Sequence, residues 1–106
     1  MWYYICLHPT GRYPNRFVDQ SMLKHRVLFW IHYLYGLDGY LHWGGNFYQD
    51  AKDPYSEAGI GGNILPLGDA ALWYPGEKGP VGSLRFTAQH DGLQDYGYLE
   101  ALENRI

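Results

Sequence analysis

The sequence predicts an α/β fold built on a parallel sheet, and three consecutive segments carry this prediction. Residues 2–7 form an aromatic and apolar strand, an amphipathic helix follows between Asp19 or Ser21 and Gly36, and residues 39–43 form a second strand. Strand, helix and strand in this order make a βαβ unit, in which the two strands are parallel.

The first strand reads WYYICL and is apolar on both faces, as is typical of a strand that is covered on both sides. Prolines, glycine and asparagine at 8–15 then predict a loop. Asp19 or Ser21 caps the following helix and Gly36 ends it. The helix is indicated by apolar residues at helical spacing, namely Leu23, Val27, Trp30, Ile31 and Leu34.

Alternation along residues 39–43 places Leu41 and Trp43 on one face and Tyr40 and His42 on the other. Residues 44–68 lack periodicity and predict a long loop. A third strand is expected at residues 70–74, closed by Pro75 and Gly76, and a last helix at about 83–104. Ser83 would cap that helix, and Gly92 would weaken it by roughly 1 kcal/mol relative to alanine.

Three parallel strands and two helices neither close a barrel nor cover both faces of a sheet. An apolar strand at residue 2 without a neighbour would also expose unpaired backbone groups of the kind that native proteins protect. We therefore expect residues 1–106 to be a single partial domain, completed by an upstream part of the same sheet.

Composition excludes several classes of function. The net charge of −3 arises from 11 acidic and 8 basic residues without blocks, which argues against nucleic acid as a partner. The longest apolar segment, residues 27–34, is broken by His32, so neither a membrane span nor a signal peptide is predicted. His25 and His32 have no Cys or carboxylate at ligand spacing, so we expect no metal and no cofactor.

Three blocks together resemble the catalytic domain of glycoside hydrolase family 123 and its relatives, long catalogued as a domain of unknown function. The first block is WYYICLHPTGRYPNRFVD, and the second is RVLFWIHYLYGLDGYLHWGGNFY followed by DPY. The third, LWYPGEKGPVGSLRFTAQHDGLQDYGYL, is similar to the family's Tyr-Pro-Gly, Ser-x-Arg and Asp-Gly pattern. Where the family has arginine before Asp-Gly and glutamate before the later Asp, this chain has His90 and Gln94, which we interpret as a lost charge pair.

The resemblance implies a (β/α)8 TIM-like barrel that hydrolyses β-linked N-acetylhexosamine, in particular N-acetylgalactosaminides. This chain would supply the C-terminal part, about three βα units. In such enzymes the substrate's acetamido group attacks the anomeric carbon, oriented by an Asp whose neighbouring Glu is the acid and base. The chain has no adjacent Asp-Glu pair, so we predict no catalytic residue here and no activity from the chain alone. If it were active, the carboxylates to consider would be Asp38, Asp50, Asp53 and Glu57.

In parallel barrels the active site lies at the carboxyl ends of the strands, so residues that leave the strands are the candidates for binding a carbohydrate. An aromatic ring stacks on the apolar face of a sugar, and amides or hydroxyls read its hydroxyl groups. We favour Trp43, since Gly44 and Gly45 leave room for a ligand. The other predicted binding residues are His8, Tyr13, Asn15, Asn46, Tyr48 and Tyr74.

Each candidate also has a structural interpretation, in which the aromatic residues fill a core. Arg85, which the resemblance retains, is by this interpretation a surface ion pair at the start of a helix. The alternative to an enzyme fragment is a non-catalytic carbohydrate-binding module, and a purely structural domain is a third possibility.

Overall fold

The computed structural model of the protein describes residues 1–48, 53–56, 59–60 and 63–106. Within these residues, two helices pack against each other, and short strands are paired in three separate two-stranded sheets. Neither helix of the described part is apolar enough over a sufficient length to cross a membrane.

The predicted βαβ unit is confirmed, with shorter strands than expected. Strand β1 is Trp2–Tyr4, helix α1 is Met22–Leu34 and strand β2 is Gly39–Leu41. The strands are parallel, with Trp2 opposite Gly39 and Tyr4 opposite Leu41. One face of β1 is exposed in this chain, at Trp2 and Tyr4. Its other face packs on α1, where the Tyr3 ring lies 5.6 Å from that of His32.

Helix α1 begins after Ser21, whose backbone is extended, although its side chain makes no capping hydrogen bond. Gly36 ends the helix in the left-handed region at φ 57°, and its N–H donates to the carbonyl of Tyr33. The apolar stripe predicted from the sequence is not the most buried face. That face consists of His25, Leu28 and His32, whereas Leu23, Trp30 and Leu34 are exposed.

The prediction of a third parallel strand at residues 70–74 is wrong. Strand β5, Trp73–Gly76, instead forms an antiparallel hairpin with β6, Gly79–Gly82. The turn residues that were expected to end a strand lie within this hairpin, where Pro75 pairs with Pro80. The long loop before it contains a second small hairpin, β3 (Gly59–Ile60) with β4 (Asn63–Ile64).

Helix α2, Leu84–Glu103, confirms the predicted C-terminal helix and its cap. The Ser83 hydroxyl accepts a hydrogen bond from the Phe86 N–H at 3.2 Å. The family's altered positions, His90 and Gln94, are both exposed. Asp95 binds α1, so the packing of this helix does not depend on the charge pair that we inferred to be lost.

The contact between α1 and α2 explains Gly92, which is buried in the middle of α2. A β-carbon at this position would overlap the backbone carbonyl of Arg26 on α1. The glycine therefore permits the two helices to approach closely, which offsets its poor helix propensity.

We predict that Gly92→Ala lowers the free energy of unfolding by about 2 kcal/mol, because the helices must separate to admit the methyl group. Gly97 is the matched control, since it lies in the same helix and a β-carbon there would meet nothing within 4 Å. Gly97→Ala should raise the stability by roughly 1 kcal/mol through helix propensity alone. Denaturant unfolding of both variants checks this, and equal effects of the two substitutions would contradict it.

Asp95 joins the helices on their exposed side. Its carboxylate accepts hydrogen bonds from Arg26 Nε at 2.6 Å, Arg26 Nη2 at 2.8 Å and Trp30 Nε1 at 2.9 Å. The hydrogen bonds from Arg26 and then Trp30 lower the pKa of Asp95 from 3.8 to about 2.

A lowered carboxyl pKa stabilises the folded state above the unfolded-state value and loses that contribution as the pH falls towards the folded value. We therefore expect the stability to decline between about pH 4 and pH 2, in part through Asp95. Asp95→Asn and Arg26→Gln should each flatten this decline in unfolding curves recorded across the interval. An unchanged pH profile in both variants would show that the ion pair does not couple to folding.

Candidate sugar-binding site

The candidate site begins where β2 ends, at His42 and Trp43. Trp43 is half-buried, and its indole Nε1 donates a 2.9 Å hydrogen bond to Asp69 Oδ2. The indole lies close to parallel to the His42 ring, with 6.1 Å between centroids and 26° between planes. Its other neighbour is Phe47, at 5.5 Å in an edge-on arrangement. The expected alternation of these side chains is wrong, because the strand stops at Leu41 and the two consecutive rings then stack.

The segment of residues 44–47 is held against residues 70–72 by backbone hydrogen bonds. Phe47 N–H donates to the Ala70 carbonyl at 3.1 Å, and Leu72 N–H donates to the Gly45 carbonyl at 2.7 Å. A β-carbon on Gly44 would lie 2.8 Å from the Ala70 oxygen, and one on Gly45 would lie 2.7 Å from the Trp73 ring. The space beside these glycines is thus filled by the chain itself, which corrects the expectation that they leave room for a ligand.

Asp69 is the buried acidic residue of the site, with a side chain that is 1% exposed. Besides Trp43, it faces His42, whose Nε2 lies 3.4 Å from Asp69 Oδ1. The His42 side chain is 3% exposed, and its Nδ1 accepts a hydrogen bond from the Gly44 N–H at 3.1 Å. One carboxylate therefore faces the nitrogen-bearing edges of two neighbouring rings.

Two buried guanidinium groups bind the backbone around Asp69. Arg16 is 2% exposed and donates from Nη2 to the backbone carbonyl of Asp69 at 3.3 Å. Burial lowers the pKa of Arg16, and the neighbouring Tyr40 hydroxyl partly opposes this change. Burial in turn raises the pKa of Tyr40 to about 12.

Arg85 is the second of these groups, and the expectation of a surface ion pair is wrong for it, because it is 4% exposed. Its Nη1 donates to the carbonyls of Arg16 at 2.7 Å and Gly68 at 3.1 Å. Its Nη2 donates to the Ala71 carbonyl at 2.7 Å and the Tyr74 hydroxyl at 2.8 Å. Burial lowers the pKa of Arg85, opposed by Tyr74. The planar guanidinium thus joins two loops and the start of the β5–β6 hairpin.

Comparison with known families identifies the family of this chain. The model of the glycoside hydrolase 123 catalytic domain matches residues 1–102. The chain belongs to glycoside hydrolase family 123. The resemblance inferred from the three sequence blocks is therefore confirmed. Among curated proteins, none matches the sequence.

Two of the predicted binding residues of this family 123 chain line a common pocket. Asn46 and Tyr48 surround a space of about 310 Å³ together with Trp73 and Pro80. The pocket combines aromatic rings with an amide, the mixture that a sugar site uses. Trp73 also contacts Phe86, with 4.8 Å between the ring centroids.

The remaining predicted residues have different surroundings. Asn15 is fully buried and donates from Nδ2 to the carbonyls of Cys6 and Pro9, while its Oδ1 accepts from the Arg16 N–H. Its amide shapes the loop after β1, so we assign it a structural role. Tyr74 binds Arg85 and stacks on Tyr55 at 5.0 Å.

His8 and Tyr13 are exposed on the loop after β1, and Arg12 lies over the Tyr13 ring at 5.2 Å. Among the described hydrogen bonds and ring contacts, none joins either residue to Trp43. Of the acidic residues considered for catalysis, Asp38 and Asp53 are exposed, and Asp50 and Glu57 lie outside the described residues. The described residues contain no group of three side chains that could hold a metal ion.

Asp69 and His42 were not among the predicted site residues, although the sequence contained a signal for Asp69. This aspartate directly precedes the apolar segment 70–73, and a charged residue next to a buried segment requires buried partners. Its partners, however, lie 26 and 27 positions earlier in the chain, and local sequence does not identify them.

We predict that Arg85→Met lowers the free energy of unfolding by roughly 3 kcal/mol, because several buried carbonyls lose their donors. Arg85→Lys should recover only part of this loss, since an ammonium group lacks the planar fork. Arg12 is the control, because it is exposed and its described contact is with the exposed Tyr13. Arg12→Met should change the stability by less than about 0.5 kcal/mol. Denaturant unfolding measures all three, and a near-neutral Arg85→Met would show that the loops hold without it.

Proposed function

We propose that this chain forms part of the sugar-binding wall of a hydrolase acting on β-linked N-acetylhexosamine, of the N-acetylgalactosaminide type. The single observation that carries the proposal is the half-buried Trp43 indole, which lies two residues after the end of β2 and donates to the buried Asp69. A ring held in one plane stacks on a pyranose without first losing rotational freedom.

The fold that best accommodates this role is the C-terminal part of a (β/α)8 barrel. Support comes from the parallel pair β1 and β2 with α1 between them. Trp2, Tyr4 and Leu41 are 66%, 51% and 54% exposed, which leaves a broad apolar surface on the side of the strands away from α1. In our proposal, an upstream part of the same barrel covers these side chains.

The pocket beside Asn46 and Tyr48 supports a second contact with carbohydrate. Asn46 is exposed and Tyr48 half-buried, so both present polar groups near the Trp73 ring. Residues 44–47 connect this pocket to Trp43, and backbone hydrogen bonds join them to residues 70–72, next to Trp73.

The catalytic carboxylates, in this proposal, belong to another part of the protein. The chain has no adjacent Asp-Glu pair. Asp69 does not suit acid and base catalysis on a substrate, because its side chain is 1% exposed and one oxygen accepts the Trp43 N–H. We therefore expect residues 1–106 alone to show no turnover.

The experiment is Trp43→Ala in the full-length protein, assayed on chromogenic β-N-acetylgalactosaminides and β-N-acetylglucosaminides. Loss of the stacking surface should raise KM roughly 5- to 150-fold, from about 1–3 kcal/mol of binding energy. The matched control is Trp30→Ala. Trp30 also donates its indole N–H to a carboxylate at 2.9 Å, but it does so between the helices. The control should lower the melting temperature and leave KM unchanged.

A large drop in melting temperature for Trp43→Ala, with unchanged activity in the remaining folded protein, would make Trp43 an ordinary core residue. Turnover by residues 1–106 that co-purifies with the chain would overturn the placement of the catalytic pair elsewhere. Sugar binding by the full-length protein without turnover would favour the carbohydrate-binding module.

A further inference from the structure

The two oxygens of Asp69 face two different rings, and each ring presents a nitrogen. Oδ2 accepts the Trp43 indole N–H at 2.9 Å, and Oδ1 lies 3.4 Å from His42 Nε2. Both His42 Nε2 and Asp69 Oδ1 are buried and have no closer polar partner among the described residues. Buried polar groups are generally hydrogen-bonded, so a buried donor and a buried acceptor that face each other are expected to form a hydrogen bond.

The other nitrogen of His42 determines where its proton lies. Nδ1 accepts a hydrogen bond from the Gly44 N–H at 3.1 Å, so it carries no proton itself. A neutral imidazole with a bare Nδ1 has its proton on Nε2, the nitrogen that faces Asp69. The backbone of residue 44 and the carboxylate of residue 69 thus select the same tautomer.

His42 and Trp43 are the centre of a row of rings. Tyr4 stacks on His42 with 6.2 Å between centroids and 29° between planes, and His42 stacks on Trp43 at 6.1 Å and 26°. Phe47 closes the row at 5.5 Å from Trp43. Tyr4 is half exposed, so the row reaches solvent at the carboxyl end of β1. A change in the plane of either central ring would be transmitted to its neighbours through these contacts.

We propose that Asp69 is the positioning residue of this site: it fixes the plane of Trp43 with one oxygen and the Nε2 proton of His42 with the other. This inference rests on the proposed function of Trp43 as a sugar platform and adds a residue that does not itself touch the sugar. Arg16 and Arg85 bind the backbone on both sides of Asp69, which keeps the carboxylate between the two rings.

The first test needs no substrate and therefore does not depend on the proposed function. In the ¹⁵N-labelled full-length protein, His42 should show one bare nitrogen, Nδ1, and one protonated nitrogen, Nε2, and the Trp43 indole proton should be shifted by its charged acceptor. In Asp69→Asn one oxygen becomes an NH₂ group, so one of the two rings must lose its acceptor. We expect the His42 tautomer or the chemical shift of the Trp43 indole proton to change. The control Asp95→Asn should change only the chemical shift of the Trp30 indole proton.

The second test compares His42→Gln with His42→Asn. The glutamine amide reaches the position of Nε2 and can donate to Asp69, whereas the shorter asparagine reaches only the position of Nδ1. We expect His42→Gln to retain the Trp43 indole shift and a KM within about twofold of the original. His42→Asn and Asp69→Asn should each raise KM about tenfold with little change in kcat, the pattern of lost ground-state binding.

The outcomes separate the two proposals. Unchanged His42 and Trp43 signals in Asp69→Asn, or equal behaviour of His42→Gln and His42→Asn, would overturn the positioning role. Changed signals without any effect on KM would retain the positioning of the rings and overturn the sugar platform instead. If Asp69→Asn does not fold, the pair His42→Gln and His42→Asn takes its place: equal Trp43 indole shifts in the two variants would overturn the positioning role.

Discussion

The arrangement of the site depends on Arg85, a buried cation whose hydrogen-bond partners among the described residues are oxygens of uncharged groups. It donates to backbone carbonyls of Arg16, Gly68 and Ala71, which belong to two loops that are far apart in the chain. Burying a guanidinium without a carboxylate is costly, so the arrangement is stable only because its donors are satisfied. The start of α2 thereby fixes the loop that carries Asp69.

Asp69 connects the loop that Arg85 holds to the residues that follow β2, His42 and Trp43. Its position between Arg16 and the rings of His42 and Trp43 makes it part of a buried polar network, in which each group limits the orientation of the next. Backbone pairing of residues 44–47 with residues 70–72 connects the same two segments a second time. Among the described residues, the small interior of this family 123 chain therefore contains polar side chains as well as apolar ones. Trp43 contacts both kinds, namely Asp69 and Phe47.

Local patterns in the sequence predicted some elements well, because the information was contained within each element. Apolar spacing and Gly36 identified α1, Ser83 identified the start of α2, and the order of segments identified β1 and β2 as parallel. The prediction of a third parallel strand failed at residues 70–74, where residues 70–72 form a buried loop segment and residues 73 and 74 begin an antiparallel hairpin. A run of apolar residues indicates that the segment is buried. It does not distinguish a buried strand from a buried loop that is held by side-chain hydrogen bonds.

The sequence by itself determined the family, the two helices, the βαβ order and the place of Trp43 as an aromatic residue leaving a strand. Only the tertiary structure decided what that tryptophan contacts, because Asp69 lies 26 residues away and reaches it through a fold that Arg85 holds together. The glycines after Trp43 illustrate the same difference. Their missing side chains were evident in the sequence, whereas the structure assigned the space beside them to Ala70 and Trp73. Periodicity and capping act over a few residues, but a hydrogen bond between distant side chains depends on the packing of the whole chain.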